Sequence, residues 1–144
     1  MDEAFALLYL DLVDDFKSVN DRYGHAAGDE LLVHVAQRLK GCARETDVVA
    51  RWSGDEFAIA VTGAANVAAV TALANRIVDN LNRTFLIDGV TISTGACIGI
   101  ALAPADGATS ELLLKSADEA LYDAKRRSSN VICLHARDMN TRAA

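Results

Sequence analysis

Long apolar runs are missing from this sequence. No stretch of its 144 residues reaches the roughly 18 consecutive apolar positions that a membrane-crossing helix needs. The opening Met1-Asp2-Glu3 lacks the basic stretch of a signal peptide. Both points lead to the expectation of a cytoplasmic domain with no membrane contact of its own. Basic charge is also scarce, with 14 Lys and Arg against 20 Asp and Glu. A net charge of −6 argues against a broad nucleic-acid-binding surface. Cysteine is sparse and odd in number: Cys42, Cys97 and Cys133 stand far apart. They fit neither zinc-ligand spacing nor a disulfide framework, and read as reduced, mostly buried thiols. Internal repeats and low-complexity segments are absent, and Pro104 is the single proline.

What remains is apolar enough to fold: 51% of the residues are hydrophobic, sufficient for one domain with a real core. Residues 5 to 13 (FALLYLDLV) form a near-continuous apolar run that reads as a strand buried on both faces. Residues 14 to 25 are polar and turn-rich, with a short helical turn expected around Phe16 to Val19. Helical stripes follow from about Ala27 to Cys42, over 66 to 83, and from Ser110 to about Arg127. Val48 to Trp52 and Glu56 to Val61 flank Ser53-Gly54-Asp55 as a hairpin. Phe85 to Ile87, a turn at Asp88-Gly89, Val90 to Ala103 and Asn130 to Leu134 supply further strands. A hairpin set between helices argues against a doubly wound parallel sheet. It favours an α+β domain: one mixed, mainly antiparallel central sheet of about five strands plus a small hairpin, flanked by helices.

Acidic side chains gather where the chain turns. Asp11, Asp14 and Asp15 follow the first strand, and Asp55 and Glu56 lie at the hairpin. If those strands are neighbours, the carboxylates converge, and their mutual repulsion is relieved by a hard cation such as Mg²⁺. Two such ions can clamp a triphosphate and activate an attacking hydroxyl. Composition alone does not separate this from ordinary solvated acids.

Three ordered motifs add weight. Residues 16 to 29 (FKSVNDRYGHAAGD) resemble the FKxxND-x-x-GHxxGD segment of GGDEF domains. Ser53-Gly54-Asp55-Glu56-Phe57 resembles the signature that names the family, with Ser in the first Gly position. Residues 117 to 125 (ADEALYDAK) resemble its ADxALYxAK helix. The resemblance spans about residues 5 to 134 and implies a ferredoxin- or palm-like nucleotide cyclase fold. The activity it implies is diguanylate cyclase: two GTP molecules joined into cyclic di-GMP with release of two pyrophosphates.

The resemblance also assigns roles. Asp55, Glu56 and Lys17 would be catalytic, with Asp55 helping to deprotonate the 3′-hydroxyl and Lys17 neutralising phosphate charge. Asn20 and Asp29 would read guanine, His25 would sit near the nucleotide, and Lys125 would meet phosphate. Gly54 would let the backbone approach the phosphates. Two Mg²⁺ per GTP half-site, with Mn²⁺ as a substitute, would be held within the set Asp11, Leu12, Val13 and Asp55. Arg44 and Asp47, closing five residues before Ser53, resemble the RxxD site at which product arrests turnover. Each chain carries one half-site, so catalysis implies a homodimer.

The match has departures. The first-strand motif D-x-D-x-F-K is one residue longer here, so counting back from Phe16 puts the ligand position on Leu12 rather than Asp11. A β-bulge would restore Asp11; without one, either Asp14 serves instead or metal binding fails. Ser128-Ser129 stands where Gly-Arg often follows the last helix, with Arg126 or Arg127 as substitutes. The usual DxLTGLxNR-like segment before the first strand is absent. The expected division is a GGDEF-type domain over 1–134, truncated at its N-terminus, and a tail over 135–144 leading to another domain such as an EAL phosphodiesterase. A catalytically degenerate domain that binds GTP or cyclic di-GMP for regulation is the alternative.

Overall fold

A computed structural model describes residues 5–13, 16–63, 66–128 and 130–135, and of residues 13 and 16–18 the backbone alone. The elements are β1 (Phe5–Val13), α1 (Phe16–Tyr23), α2 (His25–Cys42), β2 (Val48–Ser53), β3 (Glu56–Thr62), α3 (Val67–Leu81), β4 (Phe85–Ile87), β5 (Val90–Ile92), β6 (Gly95–Ala103), α4 (Ser110–Arg127) and β7 (Ile132–Leu134). The α+β expectation holds: five strands form one sheet in the order β2-β3-β1-β6-β7, and β4-β5 forms a separate hairpin. β1 lies between β3 and β6 and is antiparallel to both; only the pairing of β6 with β7 is parallel.

The central position of β1 explains its apolar run, since side chains alternate between two covered faces. Leu8, Leu10 and Leu12 pack with Leu31, Val35 and Leu39 of α2 and with Ile77 and Leu81 of α3. Tyr9 faces the other way, into a layer made with Leu113, Ala117, Leu121 and Ala124 of α4. That layer is thin because its residues are small. A Cβ on Gly99 of β6 would run into the α4 backbone at Ala117 and Leu121. Helix α4 thus lies almost on the strand, and Lys125, one residue past buried Ala124, reaches the end of β1.

Several boundaries differ from the sequence reading, among them the start of β7 at Ile132 rather than Asn130. α1 runs for eight residues where a short turn is expected; Asn, Asp and Ser weaken its propensity, but burial of Val19 anchors it. α2 begins at His25, two residues early. The strand expected over 90–103 divides at Ser93-Thr94, its first part closing the β4-β5 hairpin and its second entering the main sheet. The three cysteines are free, with Cys97 and Cys133 buried and Cys42 half-buried. His135, at the start of the expected tail, still donates its backbone N–H to Ile100, and its ring lies between Asp106 and Glu119. The tail beyond it lies outside the described residues.

Candidate functional site

The cluster begins with a carboxylate that the sheet has buried. Asp11 sits near the end of β1, opposite Glu56 on β3 and Cys97 on β6. The ladder with β6 runs from Phe5 to Val13 without a shift, so the extra residue of the first motif is not taken up within β1. Strand pairing, not distance from Phe16, decides which side chain enters the site, and it selects Asp11. Leu12 turns into the core; its side chain is no ligand, and only its backbone carbonyl could serve. The side chain of Val13 is not described, and Asp14 and Asp15 lie outside the described residues.

Asp11 is 5% exposed. Its Oδ2 accepts from Lys125 Nζ at 2.6 Å, whereas its buried Oδ1 has no hydrogen-bond partner among the described residues. Burial raises its pKa from 3.8 to about 6; Lys125 opposes that rise, and Asp55 and Glu56 add to it. The hydrogen bond to Asp11 in turn raises the Lys125 pKa. Carboxylates and ammonium therefore share one field at the end of β1.

The hairpin supplies the other acids. Ser53 pairs with Glu56 across the two-residue turn Gly54-Asp55. Gly54 has φ +41°, the left-handed sign that such turns require and glycine adopts without strain. Its need is conformational, for no atom of the described residues crowds it. The Leu12 N–H donates to the Asp55 carbonyl at 3.0 Å and ties the turn to the end of β1. Glu56 Oε1 accepts from Ser53 Oγ at 2.8 Å and from the Tyr9 phenol at 3.2 Å. Burial first, then Glu56, pushes the Tyr9 pKa to about 12, so the phenol stays a donor at any ordinary pH.

Tyr9 is a residue that the motif reading missed. Its signal was the period of two along β1, which sets it on the same face as Asp11, together with the need of a buried phenol for a partner.

The expected guanine readers lie on the helices after β1. A Cβ on Gly28 would collide with the Asn20 side-chain carbonyl. Glycine there lets α1 settle on α2 and sets Asn20 beside Gly28, the neighbour of Asp29. Asp29 and His25 are exposed on the first turns of α2. Among the described residues, no hydrogen bond or ion pair joins this group to the carboxylates. The side chain of Lys17 is not described.

Arg44 and Asp47 form a separate unit. Asp47, its side chain 1% exposed, accepts from the Arg44 backbone N–H at 2.8 Å and from Arg44 Nη2 at 3.2 Å. Arg44 Nη2 also donates to the Thr62 carbonyl. A cavity of about 270 Å³ opens beside them, and Arg76 of α3, which the motif reading did not single out, also lines it. On α4, Arg126 turns to Asp123 at 3.9 Å and to the Tyr122 ring, along its own helix.

A divalent cation fits this chemistry with one qualification. An orphaned, buried carboxylate oxygen among acids is what a hard cation takes as ligand. Yet among the described residues no three His, Cys, Asp or Glu side chains group closely enough to hold a metal ion. A cation here would rest on fewer protein carboxylates, completed by backbone, water or phosphate oxygens.

Comparison with known proteins places this arrangement in context. A family model described as "Diguanylate cyclase, GGDEF domain" matches residues 1–131. Diguanylate cyclase TpbB of Pseudomonas aeruginosa is 46% identical over 127 residues, covering 88% of this chain and 29% of TpbB. MucR of the same species, a bifunctional diguanylate cyclase and cyclic di-GMP phosphodiesterase, is 41% identical over 142 residues, covering 99% of this chain and 20% of MucR. The chain thus spans under a third of either relative. The crystal structure of the TpbB GGDEF domain superposes with a TM-score of 0.88 at 43% identity, covering 92% of this chain and 83% of that one.

Proposed function

This chain belongs to the GGDEF family of diguanylate cyclase domains, and we propose that it joins two GTP into cyclic di-GMP with release of two pyrophosphates. The supporting observation is the buried Oδ1 of Asp11, unpartnered among the described residues and beside the Gly54-Asp55 turn. When bound, Mg²⁺, two per half-site with Mn²⁺ as a substitute, polarises the triphosphate and acidifies the attacking hydroxyl. Asp11 and Asp55 would hold it through carboxylate oxygens, and Leu12 and Val13 would contribute backbone carbonyls. Asp55 takes the proton from the 3′-hydroxyl, with Glu56 in support. Lys125 is exchangeable: its ammonium balances Asp11 while the site is empty of substrate and turns to phosphate when GTP arrives, joined by Lys17. Gly54 leaves the turn open for the phosphates. Asn20 and Asp29 read the donor and acceptor edge of guanine, with His25 nearby.

Each 3′-hydroxyl attacks the α-phosphate of the other GTP, so two chains face each other across a two-fold axis. Cyclic di-GMP binds back at Arg44 and Asp47 and arrests turnover. Within a cytoplasmic parent, residues 1–134 would form the catalytic domain and the stretch after them a connector to a further domain. The test is direct: the dimerised domain incubated with GTP and Mg²⁺ yields cyclic di-GMP. Saturable GTP binding with no product would instead establish a regulatory domain without turnover. The Lys125–Asp11 ion pair favours that second reading, because it occupies half of the ligand carboxylate.

A further inference from the structure

The first signature residue is Ser53 rather than glycine, and its hydroxyl has a partner. We propose that Ser53 is a positioning residue that orients Glu56. The proposal rests on the cyclase reading only for its consequence, not for its geometry. The β2-β3 ladder shifts between Arg51 and Ser53. Without that shift Trp52 would stand opposite Glu56; with it, Ser53 does. The displaced indole instead meets the Tyr9 ring edge-on, at 6.3 Å between centroids and 77° between planes.

Ser53 and Tyr9 then donate to the same oxygen, Oε1, at 2.8 Å and 3.2 Å. Two donors on one carboxylate oxygen are charge-assisted bonds, and they fix the plane of the group. No described residue donates to Oε2. Glu56 can therefore offer only that second oxygen to a cation or a substrate hydroxyl, in one orientation set from both sides. Glycine at position 53 would leave Tyr9 as the sole restraint. The serine is thus an added restraint rather than a tolerated loss.

Two measurements test this, and one needs neither metal nor turnover. In the metal-free protein the Glu56 side-chain carboxyl resonance is followed by NMR in the wild type, Ser53→Ala, Ser53→Gly and Ser53→Thr. The expected result is a common displacement in the alanine and glycine variants, with threonine restoring the wild-type position because it keeps the hydroxyl. Ser53 is exposed, so these variants keep the fold. An unmoved resonance in Ser53→Ala overturns the proposal. So does a difference between alanine and glycine as large as that between alanine and serine, since backbone freedom would then be the cause. In the second measurement, Mn²⁺ affinity is read from the free-ion electron-resonance signal. Alanine and glycine weaken it by about three- to tenfold, the effect of one hydrogen bond open to solvent, and threonine rescues it. Tighter binding in Ser53→Gly would show that serine holds Glu56 away from the site and overturns the orienting role. Should the wild type bind no Mn²⁺ without nucleotide, the NMR comparison alone decides what Ser53 does, and the incubation with GTP and Mg²⁺ decides the cyclase reading.

Discussion

A carboxylate taken out of water resists ionisation, and Asp11 is the residue on which that matters most. Its pKa rises from 3.8 to about 6 despite the ammonium beside it. A carboxyl raised in the folded state favours the protonated fold. Its contribution is full below the ordinary value and is lost as pH climbs through 6. The metal-free wild type should therefore lose ground to Asp11→Asn between pH 4 and pH 7, by a shift in Tm on the order of a few degrees. Mg²⁺ reverses the trend for the wild type alone, because it selects the ionised carboxylate, and its apparent affinity should weaken as pH falls below 6. Thermal melts of both proteins across this range, with and without Mg²⁺, measure the effect. A pH-independent difference between them would contradict the assignment. At this scale the sequence was legible in residue type but not in register. Asp11, Asp55 and Glu56 were identified as candidates, yet counting from Phe16 pointed to Leu12. Only the pairing of Asp11 with Glu56 and Cys97 resolves which side chain enters the site.

Helix α4 works at the scale of an element because the seam beneath it is small. Gly99, Ala101, Ala117, Ala120 and Ala124 let its backbone approach β6, and that approach carries Lys125 to Asp11. A methyl group at position 99 has no room, since it would strike α4 main chain at Ala117 and Leu121. Gly99→Ala should destabilise the fold by about 1–3 kcal/mol through overpacking, measured by denaturant unfolding. It should also lengthen the Lys125–Asp11 contact and move the Asp11 pKa further up. The amphipathic stripes announced α2, α3 and α4, because each buries one continuous face. α1 was harder to read. Among its described side chains only Val19 is buried, and its Ser, Asn and Asp residues favour turns when judged alone. The packing of Asn20 on Gly28 is likewise a tertiary fact that no periodicity encodes.

Over the whole molecule, two surfaces stand apart: the acidic end of β1 with its hairpin, and the Arg44–Asp47–Arg76 cavity beside α3. The sequence singles out Arg44 and Asp47 by their place before the hairpin, and the structure pairs the two side chains with each other. It does not single out Arg76, since 32 residues separate it from Arg44 and only the fold brings α3 alongside. If this cavity takes the product through guanidinium–phosphate pairing, Arg76→Ala should raise the cyclic di-GMP concentration needed for half-inhibition by at least about tenfold. Initial turnover should stay intact, and an inhibition titration reads both. On the proposed cyclase reading the other surface would carry one half-site per chain, which would make activity a property of pairs. Mixing wild type with Asp55→Asn tests this, because a pair with one disabled member forms at most one of the two phosphodiester bonds. With free subunit exchange, productive pairs follow the square of the wild-type fraction. An equal mixture should thus make cyclic di-GMP at about half the rate per wild-type subunit. A rate per wild-type subunit that ignores the mutant would mean that one chain completes the ring alone, and the two-fold arrangement would have to be abandoned.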